Sequence, residues 1–316
     1  GLAALCTPHC HGDPGKLRPA QVERLKEEVS AGRFLSAQQV CDWVAETFAA
    51  RSAPREWAGA ASTPLPEMAL GNGLGGFTDQ GRSYAIVLDG GQQTPMPWVN
   101  VIANPNFGTI VSASGAANTW CGNSRENRLT PFANDPVSDP TGEVIFVRDE
   151  ETGAFWSPTP VPVAPREHDR CVMHHTAGLT HFARAVHGID HELEVFVDTV
   201  DPVKFSVLTV TNRGPAARTL SVFGFAEWVL GPPHDGIHLH VVTDIDPSTG
   251  SILASNAYNQ EYRGHTAFSY VSEAPVSFTA DRRSFLGRHG DLSRPAAMTQ
   301  PVLSGGVGGL DPCAAL

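Results

Sequence analysis

Lysine is nearly missing from this chain: Lys16, Lys26 and Lys204 are the whole complement in 316 residues, and arginine supplies the rest of the 22 basic side chains. Against 33 acidic residues the net charge is −11. A surface this acidic repels phosphate backbones, which argues against nucleic acid as a partner. A run of about twenty apolar residues is also lacking, so no helical membrane span is expected in this segment. The opening Gly1-Leu2-Ala3-Ala4-Leu5-Cys6 has no Met and no charged-then-apolar leader, and it reads as the start of a piece of something longer. Cysteine is sparse and scattered, at Cys6, Cys10, Cys41, Cys121, Cys171 and Cys313. That spacing is not a dense disulfide framework and points to free thiols in a reducing, cytoplasmic compartment. The cluster Gly71-Asn72-Gly73-Leu74-Gly75-Gly76 is followed by no Lys-Ser/Thr pair and by strand-like sequence. It reads as a tight turn into a strand rather than a phosphate loop, and no cofactor is expected.

What is present is turn chemistry and short apolar runs. Residues 19–31 predict a helix: Pro19 suits the first turn, Val22, Leu25 and Val29 share a face, and Gly32 stops it. A second helix is expected after Ser36, where Ser36-Ala37-Gln38-Gln39 has capping-box spacing ahead of a stripe of Val40, Trp43, Val44, Thr47 and Phe48. With Pro54, Pro64 and Pro66 behind them, residues 1–67 read as a loop, two helices and a Pro-rich linker. Residues 68–316 read as a second domain built of strands. The runs Ser83–Leu88, Glu143–Arg148, Glu192–Val197, Val203–Thr211, Thr219–Val229, Ile237–Thr243 and Thr266–Val271 are short and rich in Val, Ile, Phe and Thr. In Val203–Thr211 apolar side chains fall on both faces, which predicts a strand covered on both sides. With 31 Gly and 25 Pro to make the turns, a large antiparallel sandwich with a short helical appendage is the expected fold.

The densest chemistry lies in Thr119–Pro136. Trp120, Asn123, Arg125, Asn127 and Arg128 place an indole, carboxamides and guanidiniums close together. Sugar sites use these groups: an aromatic face covers the apolar face of a pyranose, and forked donors and acceptors read its hydroxyls. The same composition also suits a surface loop held by its own Asn and Asp side chains. On the residues alone both readings stand.

The run Asn123-Ser124-Arg125-Glu126-Asn127-Arg128-Leu129-Thr130-Pro131, followed by Asn134-Asp135-Pro136-Val137-Ser138-Asp139-Pro140, resembles the N-terminal sandwich domain of glycoside hydrolase family 94, formerly glycosyltransferase family 36. The likeness is strongest to the C-terminal region of cyclic β-1,2-glucan synthases. Further blocks agree in order: Asn72–Phe77, Pro97–Pro105, Arg148–Gly153, Trp156–Pro160, Glu227–Gly231, Asp281–Arg288 and Gly309–Cys313. The resemblance runs from about Gly71 to the C-terminus. It implies a two-sheet super-β-sandwich, broken off at its C-terminal end, with a linker helix and an (α/α)₆ catalytic barrel still to come. It further implies that the whole protein acts on a β-glucan or oligosaccharide by phosphorolysis, with inorganic phosphate as co-substrate. Other segments of such a parent would anchor it in the bacterial inner membrane. The catalytic Asp of the family sits on the barrel, so no catalytic residue is expected here. Trp120, Asn123, Arg125, Asn127 and Arg128 match the family block at a loop that helps wall the cleft, which makes them the candidate substrate-binding residues. Arg125 and Arg128 would either clamp sugar or phosphate or pair with Glu126 and Asp135 to tie the loop down. The alternative function is a stand-alone carbohydrate-binding module.

Other candidates read as structural. Asp135 and Asp139 each precede proline and suit turns. His238 and His240 would share a strand face at chelating spacing but lack an evident third ligand. Cys6-Thr7-Pro8-His9-Cys10-His11 has metal donors in a terminal loop, and Trp98, Trp156 and Trp228 suit core or interface plugs. No metal is expected.

Overall fold

The computed structural model describes residues 19–32, 63–165, 169–232, 236–308 and 311–316. The chain divides into two units, residues 1–56 with 299–301 and residues 57–298 with 302–316. In the first unit, α1 (Pro19–Ser30) starts on the proline and ends as Ala31 N donates to Glu27 O and Gly32 adopts φ 71. That is the proline-first, glycine-last arrangement read from the sequence. The second helix expected after Ser36, most of the linker and Cys6–His11 lie outside the described residues.

Among the described residues of the second unit, every strand pair is antiparallel. A six-stranded sheet runs β1 (Gly75–Thr78), β2 (Ser83–Asp89), β8 (Arg170–Thr176), β9 (Leu179–Val186), β10 (Ile189–Val197), β11 (Lys204–Asn212). A five-stranded sheet runs β16 (Thr279–Asp281), β17 (Pro312–Ala315), β12 (Leu220–Glu227), β6 (Glu143–Asp149), β7 (Phe155–Trp156). Two three-stranded sheets are β3 (Val99–Asn104), β4 (Phe107–Ser112), β5 (Ala117–Cys121), and β13 (Val241–Ile245), β14 (Ile252–Asn256), β15 (Thr266–Ser269).

The two-sheet super-β-sandwich is therefore corrected. Four small sheets pack in series, as blades do in a β-propeller. Ile86, Met173, Phe182 and Leu193 of the six-stranded sheet meet Ile102, Phe107 and Val111 of the β3–β5 sheet. Val147 and Trp156 join the five-stranded sheet to Val186 and Ile189. Ala314, Trp228 and Leu230 join it to Val241 and Ile252. Its remaining face is closed by Phe285 and Leu286 of the short helix α2 (Arg282–Leu286). The physical reason for the miss is that alternation marks extended segments and their buried faces but does not say which distant segment supplies each hydrogen-bond partner.

Two strand expectations also change. The run beginning at Ile237 opens with a 3₁₀ turn, Ile237–His240, entered through Gly236 at φ 84, and becomes a strand only at Val241. His238 and His240 thus do not share a strand face, and no cluster of described residues is suited to hold a metal. β11 is an edge strand whose Phe205, Val207 and Val210 are exposed, so it is not covered on both faces. His187 and Gly188, which the sequence reading did not mark as a turn, both take positive φ in the two-residue turn from β9 to β10, the geometry such hairpins demand. The tight turn expected at Gly71–Gly76 is present. Asn72 accepts from the backbone N–H groups of Leu74 and Gly75 at 3.1 and 2.9 Å, turning the chain into β1. Among the described residues Cys121, Cys171 and Cys313 are free thiols, and burial pushes Cys171 up to about 12.

Candidate functional site

The polar loop 122–128 follows β5 at the open end of the β4–β5 hairpin, and the chain returns alongside β5 as Leu129 N donates to Thr119 O at 2.8 Å. Its stems are locked from below by a buried ionic network. Glu143 accepts from Thr119 Oγ1 on β5 at 2.6 Å, from Thr130 Oγ1 past the loop at 2.7 Å, and from Lys204 Nζ at 2.5 Å. Burial raises the Glu143 pKa, but the Lys204 charge and the hydroxyl donors outweigh it and hold the carboxyl below its ordinary value. One of the three lysines of the chain is thus committed to fixing this loop.

The five expected residues come together on the loop but in different roles. Asn127 is buried, and its Nδ2 donates to Cys121 O at 2.9 Å across the loop base. Asn123 Oδ1 accepts from the backbone N–H of Arg125 and of Glu126, both at 2.9 Å, shaping the tip. Arg128 lies in an antiparallel bridge between Trp120 and Gly231. Its Nε donates to Ser124 O at 3.2 Å and its Nη1 to Phe132 O at 3.0 Å, with the guanidinium 5.7 Å over the Phe132 ring. Those contacts orient the fork and leave its Nη2 end without a partner among the described residues. Arg125 is exposed and only loosely paired, Nε to Glu126 Oε1 at 3.4 Å. Trp120 is half-buried with its indole against Gly108, where an added Cβ would lie 2.4 Å from the ring. Of the two pairings weighed for the arginines, Glu126 is a partner of Arg125. Asp135 instead caps its own turn through Val137 N and Ser138 Oγ, and Asp139 accepts from Ser112 and Ser114.

A second loop, between β14 and β15, lies against the first. Asn259 Nδ2 donates to Glu126 O at 3.2 Å, and the edge of the Tyr262 ring abuts Gly122, whose φ is 73: an added Cβ there would lie 3.2 Å from Tyr262 Cε1. In the same loop Tyr258 stacks on His240, centroids 4.2 Å apart and planes within 12°. The sequence reading passed over this loop. The signal was present in Tyr258-Asn259-Gln260-Glu261-Tyr262-Arg263-Gly264-His265, which has the same planar, hydrogen-bonding composition as the first.

A cavity of about 260 Å³ is lined by Trp156, Asp169, Arg184 and His187. There Arg184 binds Ser157 O, Thr159 O and Asp169, while Trp156 Nε1 donates to His191 at 2.8 Å. Trp156 and Trp228 are buried in the core and Trp98 packs against it. Three of the sequence blocks converge where Arg282 bridges Glu227 at 2.9 Å and Asp311 at 3.2 Å, pinning α2, β12 and the strand after Asp311. Burial raises Glu227 above the ordinary carboxylate value despite Arg282.

Comparison with known proteins decides the lineage. The family model described as glycosyl hydrolase 94, supersandwich domain, matches residues 82–316. The chain belongs to the glycosyl hydrolase 94 supersandwich family. Its relatives include the cyclic beta-(1,2)-glucan synthase NdvB of Rhizobium meliloti (strain 1021), 41% identical over 235 residues, which is 74% of this chain and 8% of that protein. Solabiose phosphorylase of Paenibacillus borealis is 30% identical over 237 residues, covering 73% of this chain and 30% of the relative. An N,N'-diacetylchitobiose phosphorylase of Vibrio proteolyticus is 25% identical over 234 residues, covering 72% and 28%. This member of the glycosyl hydrolase 94 supersandwich family therefore spans less than a third of the length of each of these relatives. The polar loop and the Tyr262 loop both fall inside the matched region. No helix among the described residues is long and apolar enough to cross a membrane.

Proposed function

We propose that this chain is the non-catalytic, sugar-facing part of a glucan-processing enzyme of the synthase and phosphorylase type. In this reading residues 68–316 scaffold an (α/α)₆ barrel, and Trp120, Asn123, Arg125, Asn127 and Arg128 form a wall of its cleft. The substrate is a β-linked glucan, with inorganic phosphate as co-substrate of the whole enzyme. The reaction takes place in the cytoplasm. One observation carries the reading: a loop of indole, carboxamide and guanidinium groups is held rigid by the buried Glu143–Lys204 pair yet presents Arg125 and one end of the Arg128 fork outward. Such pre-ordering lowers the cost of binding hydroxyl groups. Membership of a carbohydrate-active family supports the substrate class. Val99 and Val101, exposed on β3, supply apolar surface of the kind a second domain covers.

The test is direct. The purified chain is incubated with β-1,2-glucan and inorganic phosphate, and glucose 1-phosphate is quantified. The proposal expects none above the protein-free control. Steady, enzyme-proportional release would mean that the chain carries its own acid and refute the proposal.

A further inference from the structure

We infer that Tyr258, stacked on His240, and Tyr262, its ring edge against Gly122, form a second, aromatic wall of the sugar site that takes the apolar face of a pyranose ring in a β-linked glucooligosaccharide. The inference rests on the reading of the 122–128 loop as sugar-facing. Its own support is independent of that loop's composition. Tyr258 is 65% exposed, so its ring fills no core. It is nonetheless held flat: its N–H donates to Asn256 Oδ1 at 3.0 Å, and the His240 ring backs it almost in parallel. The rest of the loop is ordered by Tyr262 N to Asn259 O at 3.1 Å and His265 N to Tyr262 O at 2.8 Å. Tyrosine is scarce, four in the chain, and three of the four stand between 258 and 270.

The chemistry selects a neutral polyol. Rigid aromatic faces beside oriented hydrogen-bond donors match a ring with apolar C–H groups on one face and hydroxyls at its rim. Charges around the two loops are mixed, Arg125, Arg128 and Arg263 against Glu126 and Glu261. A ligand of either sign therefore gains little there. Asn259 couples the two walls, since one carboxamide donates both to Glu126 O and to Leu230 O at the flank of the Arg128 bridge.

The test uses the full 316-residue chain and short linear β-1,2-glucooligosaccharides, with binding read by saturation-transfer NMR and titration. The native chain is expected to transfer saturation to the C–H protons of one glucose face. Tyr258→Ala is expected to bind about threefold to tenfold more weakly, whereas Tyr258→Phe, which keeps the ring, stays within about twofold. Because Tyr258 is exposed, the alanine variant is expected to keep the native fold, checked by its urea midpoint. Equal affinity of Tyr258→Ala and the native chain, with Arg128→Ala weakened, would overturn the aromatic wall and leave the sugar-facing loop standing. Absence of transfer from the native chain would overturn both.

Discussion

His191 gives the fold a pH dependence that can be worked out in advance. Its ring is 1% exposed, and Trp156 Nε1 donates to its Nε2 at 2.8 Å, so that nitrogen must be an acceptor. The other ring nitrogen faces Arg184 O at 3.3 Å. A second proton would set N–H against N–H in a dry site. Burial, partly offset by the Arg184 carbonyl, lowers the pKa to about 4. The unfolded chain titrates near the ordinary value of about 6.5. Below that value the unfolded state takes up a proton that the folded state refuses, so stability falls as pH drops from about 6.5 and levels off below about 4. Linkage gives a loss of about 2 kcal/mol between pH 7 and 5, and about 3 kcal/mol by pH 4. His174 and His175, also lowered by burial, act in the same direction, whereas Glu227, raised by burial, acts in the opposite one. Urea unfolding at pH 7 and 5 measures the total. His191→Gln, which can still accept from Trp156, isolates the single group: its stability difference between the two pH values should be smaller by about 2 kcal/mol. An undiminished slope in that variant would refute the reasoning.

Other consequences are equally concrete. Lys204→Met leaves Glu143 charged and unpaired beneath the loop, at an expected cost of about 3–5 kcal/mol in urea unfolding; a change below about 1 kcal/mol would mean that the network does not hold the stems. Gly122→Ala meets both a left-handed backbone, φ 73, and the Tyr262 ring at 3.2 Å. It should cost about 1–2 kcal/mol and weaken oligosaccharide binding by separating the loops, whereas unchanged affinity would contradict their coupling. Asp149 is fully buried; burial raises its pKa, but Arg218 and the Thr152 N–H outweigh it and hold the carboxyl below its ordinary value. Its contribution is present above about pH 4 and lost as pH falls through the lower folded value, so Asp149→Asn should flatten the acid limb of the stability curve.

How far the fold could be read from the residues varies by segment. Ser83–Leu88 and Glu143–Arg148 were plain because β-branched and aromatic side chains cluster there, and both became strands of slightly greater length. β9 alternates cleanly once seen, but His181, Ala183, Arg184 and Ala185 carry little strand signal by type. β3 to β5 were obscured by Asn, Gly and Pro, residues that usually mark turns. Apolar residues on both faces of Val203–Thr211 suggested a central strand, yet it lies at an edge, because periodicity records side-chain chemistry and not neighbours. The same limit hid the division into four sheets. For the site, composition located the loop and its five residues. It could not distinguish Asn127, a buried clamp, from Arg128, whose fork points partly outward. Nor did it reveal Tyr258 and Tyr262, more than a hundred residues away and brought alongside by Asn259.

The claim that the 122–128 loop touches sugar is tested most directly by nitrogen-edited NMR of the chain titrated with linear β-1,2-glucooligosaccharides. Six indole N–H signals are available as reporters. The Trp120 indole and the Arg128 Nε–H should shift in a saturable manner while the buried Trp156 and Trp228 indoles stay in place. Saturable shifts confined to other residues, or no shifts at the highest sugar concentration, would contradict it.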